Sequence, residues 1–201
     1  MRRRTYLAAL CTPLLAGCLG DDDTPAEVSF SGSGDHSEEG IEIEEGLTVI
    51  ESVHEGRTGF MVKLVSEGGS NHVFAMQVGE YHGEAPSLLE AGTYRLEVDA
   101  DGPWEVDIRQ PRADSGDAVP DSLSGTRAEV FGPYKFEGEY DATGVHEGSG
   151  DFDVWIFPQD MSSRTLLFNE LGSVDEETSF DHDGLGWVAV DAAGEWELTL
   201  S

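Results

Sequence analysis

A chain of 201 residues with 41 acidic and 11 basic side chains carries a formal net charge of −30, which would repel a phosphate backbone and excludes nucleic acid as a partner. Hydrophobic residues make up 38% of the sequence and aromatics 9%, and their alternation excludes wholesale disorder. The cysteines are Cys11 and Cys18, both close to the N-terminus, so the body of the chain can hold neither a disulfide nor Cys-ligated zinc.

The first predicted element is a leader. Arg2-Arg3-Arg4 precede an apolar run of about ten residues, far short of the ~20 needed to span a bilayer, and small residues follow. That pattern is a secretory signal over residues 1–17. Arg3-Arg4-Thr5-Tyr6-Leu7 resembles the twin-arginine export motif, which makes Arg3 and Arg4 the export signal. Leu15-Ala16-Gly17-Cys18 resembles a lipobox, and the resemblance implies a lipid on Cys18 and a new N-terminus there. Residues 18–27 then form an acidic tether whose Asp21-Asp22-Asp23 cannot attract an anionic membrane, leaving the Cys18 lipid as the expected membrane attachment. Loss of Arg2, Arg3 and Arg4 with the leader takes the charge from −30 to −33.

Carboxylates spread throughout, with Lys63 and Lys135 as the lysines, resemble a haloarchaeal protein. Concentrated salt shortens the Debye length to about 3 Å at 1 M and silences the self-repulsion of such a chain. Acidic side chains are then solvation chemistry by default, and a pair of them does not by itself indicate catalysis.

The remainder contains one pattern twice. His54-Glu55-Gly56 precedes Phe60 and Val62 as His146-Glu147-Gly148 precedes Phe152 and Val154, and Val98 and Val190 each lie 44 positions after the histidine. Gly40 and Glu45-Gly46 match Gly132 and Glu137-Gly138 at the same offset of 92. Two homologous units follow, residues 28–111 and 120–201. The stretch from Pro111 to Gly125 is poor in apolar residues and bounded by Pro111 and Pro120; it reads as a linker, centred on residues 112–119.

Within a unit the hydrophobic period is two. Tyr94, Leu96 and Val98 alternate with charged residues, as do Trp104, Val106 and Ile108 after an Asp-Gly turn, which is a β-hairpin. Val188 and Val190, then Trp196, Leu198 and Leu200, repeat the inward face. Further strands are expected near residues 47–53, 59–65, 72–78, 134–138, 151–157 and 165–171, with a brief helical option at 86–91. The expected fold is all-β: two homologous antiparallel β-sandwich, jelly-roll-like units in tandem. About 80 residues is small for a disulfide-free core, which favours packing of the two units together. Ala91-Gly92-Thr93-Tyr94-Arg95-Leu96-Glu97-Val98 resembles the closing strand of pre-peptidase C-terminal domains and related jelly-roll accessory modules. Gly186-Trp187 departs from that pattern in the second unit.

Asp99, Asp101 and Gly102, and again Asp181, Asp183 and Gly184, are Asp-x-Asp-Gly fragments and so candidate calcium ligands. The context of an EF-hand is missing, and Asp191-Ala192-Ala193-Gly194 repeats the turn without its second acid. A hairpin turn is the expected role, and no metal or cofactor is assigned. His54 and His146 are expected to hydrogen-bond turn backbone, and Trp104 and Trp196 to pack in the core. Trp155, out of phase with Phe152, Val154 and Ile156, and Trp187 have no tryptophan counterpart in the first unit. They are the candidate exposed aromatics for ligand binding.

No nucleophile elbow, zinc-protease pair, phosphate loop or dinucleotide fingerprint occurs in the sequence. The expected function is an exported, lipid-anchored binding or accessory module on the outer face of the cytoplasmic membrane, not an enzyme, with an envelope protein or surface glycan as partner. The alternative is an envelope structural or assembly scaffold.

Overall fold

The computed structural model describes residues 24–120 and 122–201. The proposed leader, Arg3, Arg4 and Cys18 lie outside the described residues.

Eight strands build the first unit: β1 (Val28–Ser33), β2 (His36–Ile43), β3 (Gly46–His54), β4 (Gly59–Ser66), β5 (Asn71–Val78), β6 (Tyr81–Leu89), β7 (Gly92–Asp99) and β8 (Pro103–Arg109). They form two four-stranded antiparallel sheets, ordered β1-β8-β3-β6 and β2-β7-β4-β5. Period-two alternation turns Val62, Leu64, Leu96, Val98, Val106 and Ile108 inward, where they form one core with Phe60 and Trp104. Residues 86–91 are not helical. Leu88 and Leu89 end strand β6, whose pairing with β3 overrides their local propensity.

The second unit comprises β10 (Ser122–Gly125), β11 (Glu129–His146), β12 (Asp151–Pro158), β13 (Thr165–Leu171), β14 (Val174–Ala192) and β15 (Trp196–Leu200). Here two long strands each replace a pair. The later half of β11 lies between β15 and the early half of β14, as β3 lies between β8 and β6. The later half of β14 pairs β12, as β7 pairs β4. His54 faces Trp104 and His146 faces Trp196; Val62 faces Val98 and Val154 faces Val190. Even the β-bulges recur, between Val62 and Lys63 and between Val154 and Trp155. Both units are therefore one jelly-roll-like β-sandwich, and no helix occurs among the described residues.

The duplicated glycines now have reasons. Gly40 and Gly132, at φ of 79° and 119°, sit where the register of β2 against β7 and of β11 against β14 slips, a backbone conformation that a Cβ would strain. Gly56 and Gly148 lie beneath the rings of His54 and His146, which any Cβ there would strike.

The segment 112–119, expected as a linker, is docked. The Arg112 guanidinium donates to the carbonyls of Leu47 and Glu45, both at 2.8 Å. The Ala113 N–H donates to Gln159 Oε1 at 2.9 Å, and Gln159 Nε2 donates back to the Ala113 carbonyl at 2.8 Å. Asp117 and Ala118 form a short strand, β9, parallel to β11. Between the units Leu47 and Val49 of β3 pack against Phe157, Trp187 and Ala189 in a third apolar cluster, flanked by Leu88, Val130 and Trp155. The two sandwiches thus share buried surface.

Candidate functional site

Strand β12 carries the sequence Asp-Phe-Asp-Val-Trp-Ile-Phe, and its alternation sends Phe152, Val154 and Ile156 into the core and Asp151, Asp153 and Trp155 to the outer face. On neighbouring β14 the outer face bears Trp187, Ala189 and Asp191, with Asp153 directly opposite Asp191 and Trp155 opposite Ala189. This face is the floor of a cleft of about 380 Å³ whose far wall is β5 and β6 of the first unit, including Tyr81 and Glu84. Arg164, from the loop joining β12 to β13, lays its guanidinium 4.1 Å from the centre of the Trp155 ring.

The electrostatics are uncompensated. Like charges directly opposite on neighbouring strands repel, and among the described residues Asp151, Asp153 and Asp191 have no ion-pair partner. Asn169 Nδ2 donates to Asp153 Oδ1, the one neutral relief in the group. Asp191 keeps an edge open to water, but the walls around it push its carboxyl above the ordinary aspartate value, and Asp153 and Asp151 push it further. Burial, then Asp191, raises the Tyr81 phenol to about 12, so it stays a neutral hydrogen-bond donor.

The expected candidates divide. Trp155 lines the cleft, half-buried, with Arg164 seated on its ring. Trp187 corrects the expectation of an exposed aromatic: it is 1% exposed at the centre of the contact between units and unavailable to a ligand. Asp101 accepts hydrogen bonds from the backbone N–H groups of Arg57 and Thr58 at 3.2 Å; these bonds, Thr58 foremost, hold its carboxyl below the usual range. That is a turn clamp. Asp99, Asp181 and Asp183 are exposed, and among the described residues no three acidic, histidine or cysteine side chains converge to hold a metal.

His54 and His146 are buried, each at 1% exposure. His54 Nδ1–H donates to the Gly79 carbonyl at 2.7 Å and the ring stacks on Phe60; His146 Nδ1–H donates to Gly172 at 2.8 Å and stacks on Phe152. Each fastens the end of a strand to a distant turn. Trp104 and Trp196 are core residues whose Nε1–H groups donate to the carbonyls of Gly34 and Arg127.

A further chain of side chains crosses the boundary between units. Arg127 donates to His82 Nδ1 at 3.2 Å, and His82 Nε2–H donates to Glu51 at 2.7 Å. Both ring nitrogens are occupied.

Sequence reasoning missed Tyr81, Glu84, Asp151, Asp153, Arg164 and Asp191. In an acidic chain single carboxylates carry no signal, but the comparison of repeats does: Asp151 and Asp153 stand where the first unit has Gly59 and Met61.

No protein-family model matches the sequence, and no curated protein matches it. Among solved structures the chain is similar to a cupin 2 conserved barrel domain protein from Leptotrichia buccalis, with 13% identity over 87% of this chain and 81% of that one. The TM-score is 0.24, at which nothing is transferred from one protein to the other.

Proposed function

We propose that the protein is an exported, lipid-anchored binding module of the cell surface, with the cleft between its two sandwiches as the capture surface and no chemistry of its own. The observation that carries this reading is the divergence of one duplicated face. What is a solvated, ion-paired surface in the first unit, with Lys63 2.7 Å from Glu97, is in the second unit an aromatic and acidic floor facing the first unit. Functional sites are where a fold tolerates unfavourable charge, and the opposed Asp153 and Asp191 are such a place.

The non-catalytic reading is supported by the histidines. His54 and His146 are buried and bond turn carbonyls through Nδ1, with His54 Nε2 beside Asp101, and His82 has both nitrogens engaged by Arg127 and Glu51. His182 Nδ1 lies 3.4 Å from the Thr165 hydroxyl, but among the described residues its buried Nε2 has no partner to orient the ring as a base. The anchor rests on Cys18. Its replacement by Ser is expected to release the protein into the medium, and continued retention on membranes would overturn the anchored reading.

The binding role is tested by recovering the intact anchored protein from membranes in high salt and identifying the proteins and glycans that accompany it. The double variant Asp151→Asn/Asp153→Asn is expected to lose its companion. Undiminished capture would remove the cleft from the proposal.

A further inference from the structure

We infer that the free edge of β5 is a docking edge for an extended, lysine- or arginine-bearing segment of a partner protein, which adds to the sheet as a strand and lays its basic side chains over Asp151, Asp153 and Asp191. This inference rests on the cleft being a capture surface and names what it captures.

Strand β5 ends its sheet, so among the described residues one row of its backbone N–H and C=O groups has no strand beside it. Val73, Phe74, Ala75, Met76 and Gln77 all line the cleft, and a bulge at Phe74 turns both Phe74 and Ala75 inward while Met76 and Gln77 stay exposed. Five consecutive lining residues on an end strand bring its edge to the cleft. The other strand of that wall is already covered: the Glu84 N–H of β6 donates to the Ala128 carbonyl at 3.0 Å, and Glu84 Oε2 accepts from the Val130 N–H at 2.8 Å.

Exposed edges are ordinarily guarded by charge, proline or brevity, because an open edge recruits other strands. Strand β5 has none of these three guards, although it carries the bulge at Phe74. From Ser70 to Gly79 there is no Asp, Glu, Lys or Pro, in a chain with 41 acidic residues. Its exposed residues are uncharged, with Val73 52%, Met76 73% and Val78 83% exposed beside Asn71 and Gln77. A strand added to this edge would find apolar neighbours beside it.

Charge complementarity sets the composition of the incoming segment. The opposite wall holds three carboxylates without an ion pair, two of them directly opposed, and the aromatic ring beside them already carries a guanidinium, that of Arg164. An ammonium or guanidinium placed between Asp153 and Asp191 relieves their repulsion, which an acidic or neutral segment cannot do.

The test titrates the full chain, at low and at molar salt, with a blocked peptide of alternating lysine and valine as long as β5. A second peptide of the same sequence is N-methylated at alternate amides, so that it keeps its charge but cannot hydrogen-bond along one edge. The parent peptide is expected to bind and to keep binding at molar salt, whereas the methylated peptide and the Asp151→Asn/Asp153→Asn/Asp191→Asn protein each lose about tenfold or more in affinity. Equal binding of the two peptides would reduce the effect to charge attraction and overturn strand addition, as would failure of the parent peptide in both salts. If the peptide fails while the Asn variants still lose their companion from membranes, the capture surface stands and its strand-like occupant falls. If capture from membranes is also unaffected, both readings fall.

Discussion

The outer faces of the sheets β7-β4 and β14-β12 began as one surface and now do opposite work. Lys63, Arg95 and Glu97 of the first unit correspond in register to Trp155, Trp187 and Ala189 of the second. In the first unit Lys63 and Arg95 both bond to Glu97, and the face stays in water. In the second, Trp187 and Ala189 are buried against Leu47 and Val49 of the first, and Trp155 closes the edge of the cleft. A duplicated sandwich needs two things of its copies, an unchanged interior and one changed face. Interior positions are held by packing from both sheets at once, whereas an outer face can be rewritten without disturbing the fold beneath it.

The largest expected effect separates those two faces directly. Trp187→Ala removes a fully buried indole from the contact between units and should lower unfolding stability by about 3–5 kcal/mol, read as a shift of the denaturant midpoint in molar salt. Arg95→Ala, at the corresponding place in the first unit, should leave the midpoint nearly unmoved. Comparable losses in both would mean that the two faces are not energetically distinct. The second prediction concerns what did not diverge. His54→Ala and His146→Ala each remove a hydrogen bond to a turn carbonyl and a ring stacked on phenylalanine, and should cost about 1–3 kcal/mol apiece. A clear inequality would show that the latch has been retained in only one copy.

Much of the interior was legible because its rules are local. Period two placed Leu96, Val98, Val106, Val154 and Leu198 inward, and the repeated His-Glu-Gly marked a latch whose glycine is required by the ring above it. The contact between units was not legible by the same rule. Trp187 was expected to be exposed because it lacks a counterpart, whereas its setting in the unbroken run Trp187-Val188-Ala189-Val190 is that of a strand buried on both faces. Leu47-Thr48-Val49-Ile50 on β3 carries the same mark. Strand β6 was hidden by Pro86 and by propensities that pairing with β3 overrides. The cleft was hidden for a different reason. Its acidic residues are ordinary in a chain of this composition, and what distinguishes them is the change from Gly59 and Met61 between the repeats and the register that sets Asp153 opposite Asp191.

The smallest effect tests the two faces through their charges, and it has opposite signs in the two units. Lys63, then Arg95, holds the Glu97 carboxyl below the ordinary range, so its charged form stabilises the fold above the unfolded value of about 4.3, and that contribution is lost as pH falls through the lowered folded value. Burial, then Asp153 and Asp151, raises Asp191, so the fold prefers its neutral form. The stability this confers is complete below the unfolded value of about 3.9 and is lost as pH rises through the raised folded value, leaving a cost at neutral pH. Glu97→Gln should therefore destabilise the protein at pH 7, and Asp191→Asn should stabilise it. Both differences shrink towards zero in acid, and each stays under about 1 kcal/mol because both side chains face water. Molar salt is the right medium for the measurement, since removing any one charge from a chain of net charge −30 relieves general repulsion, and salt screens that effect more than it screens a direct neighbour. Stabilisation by both substitutions would show that bulk charge, not the local neighbours of each carboxylate, governs the two faces.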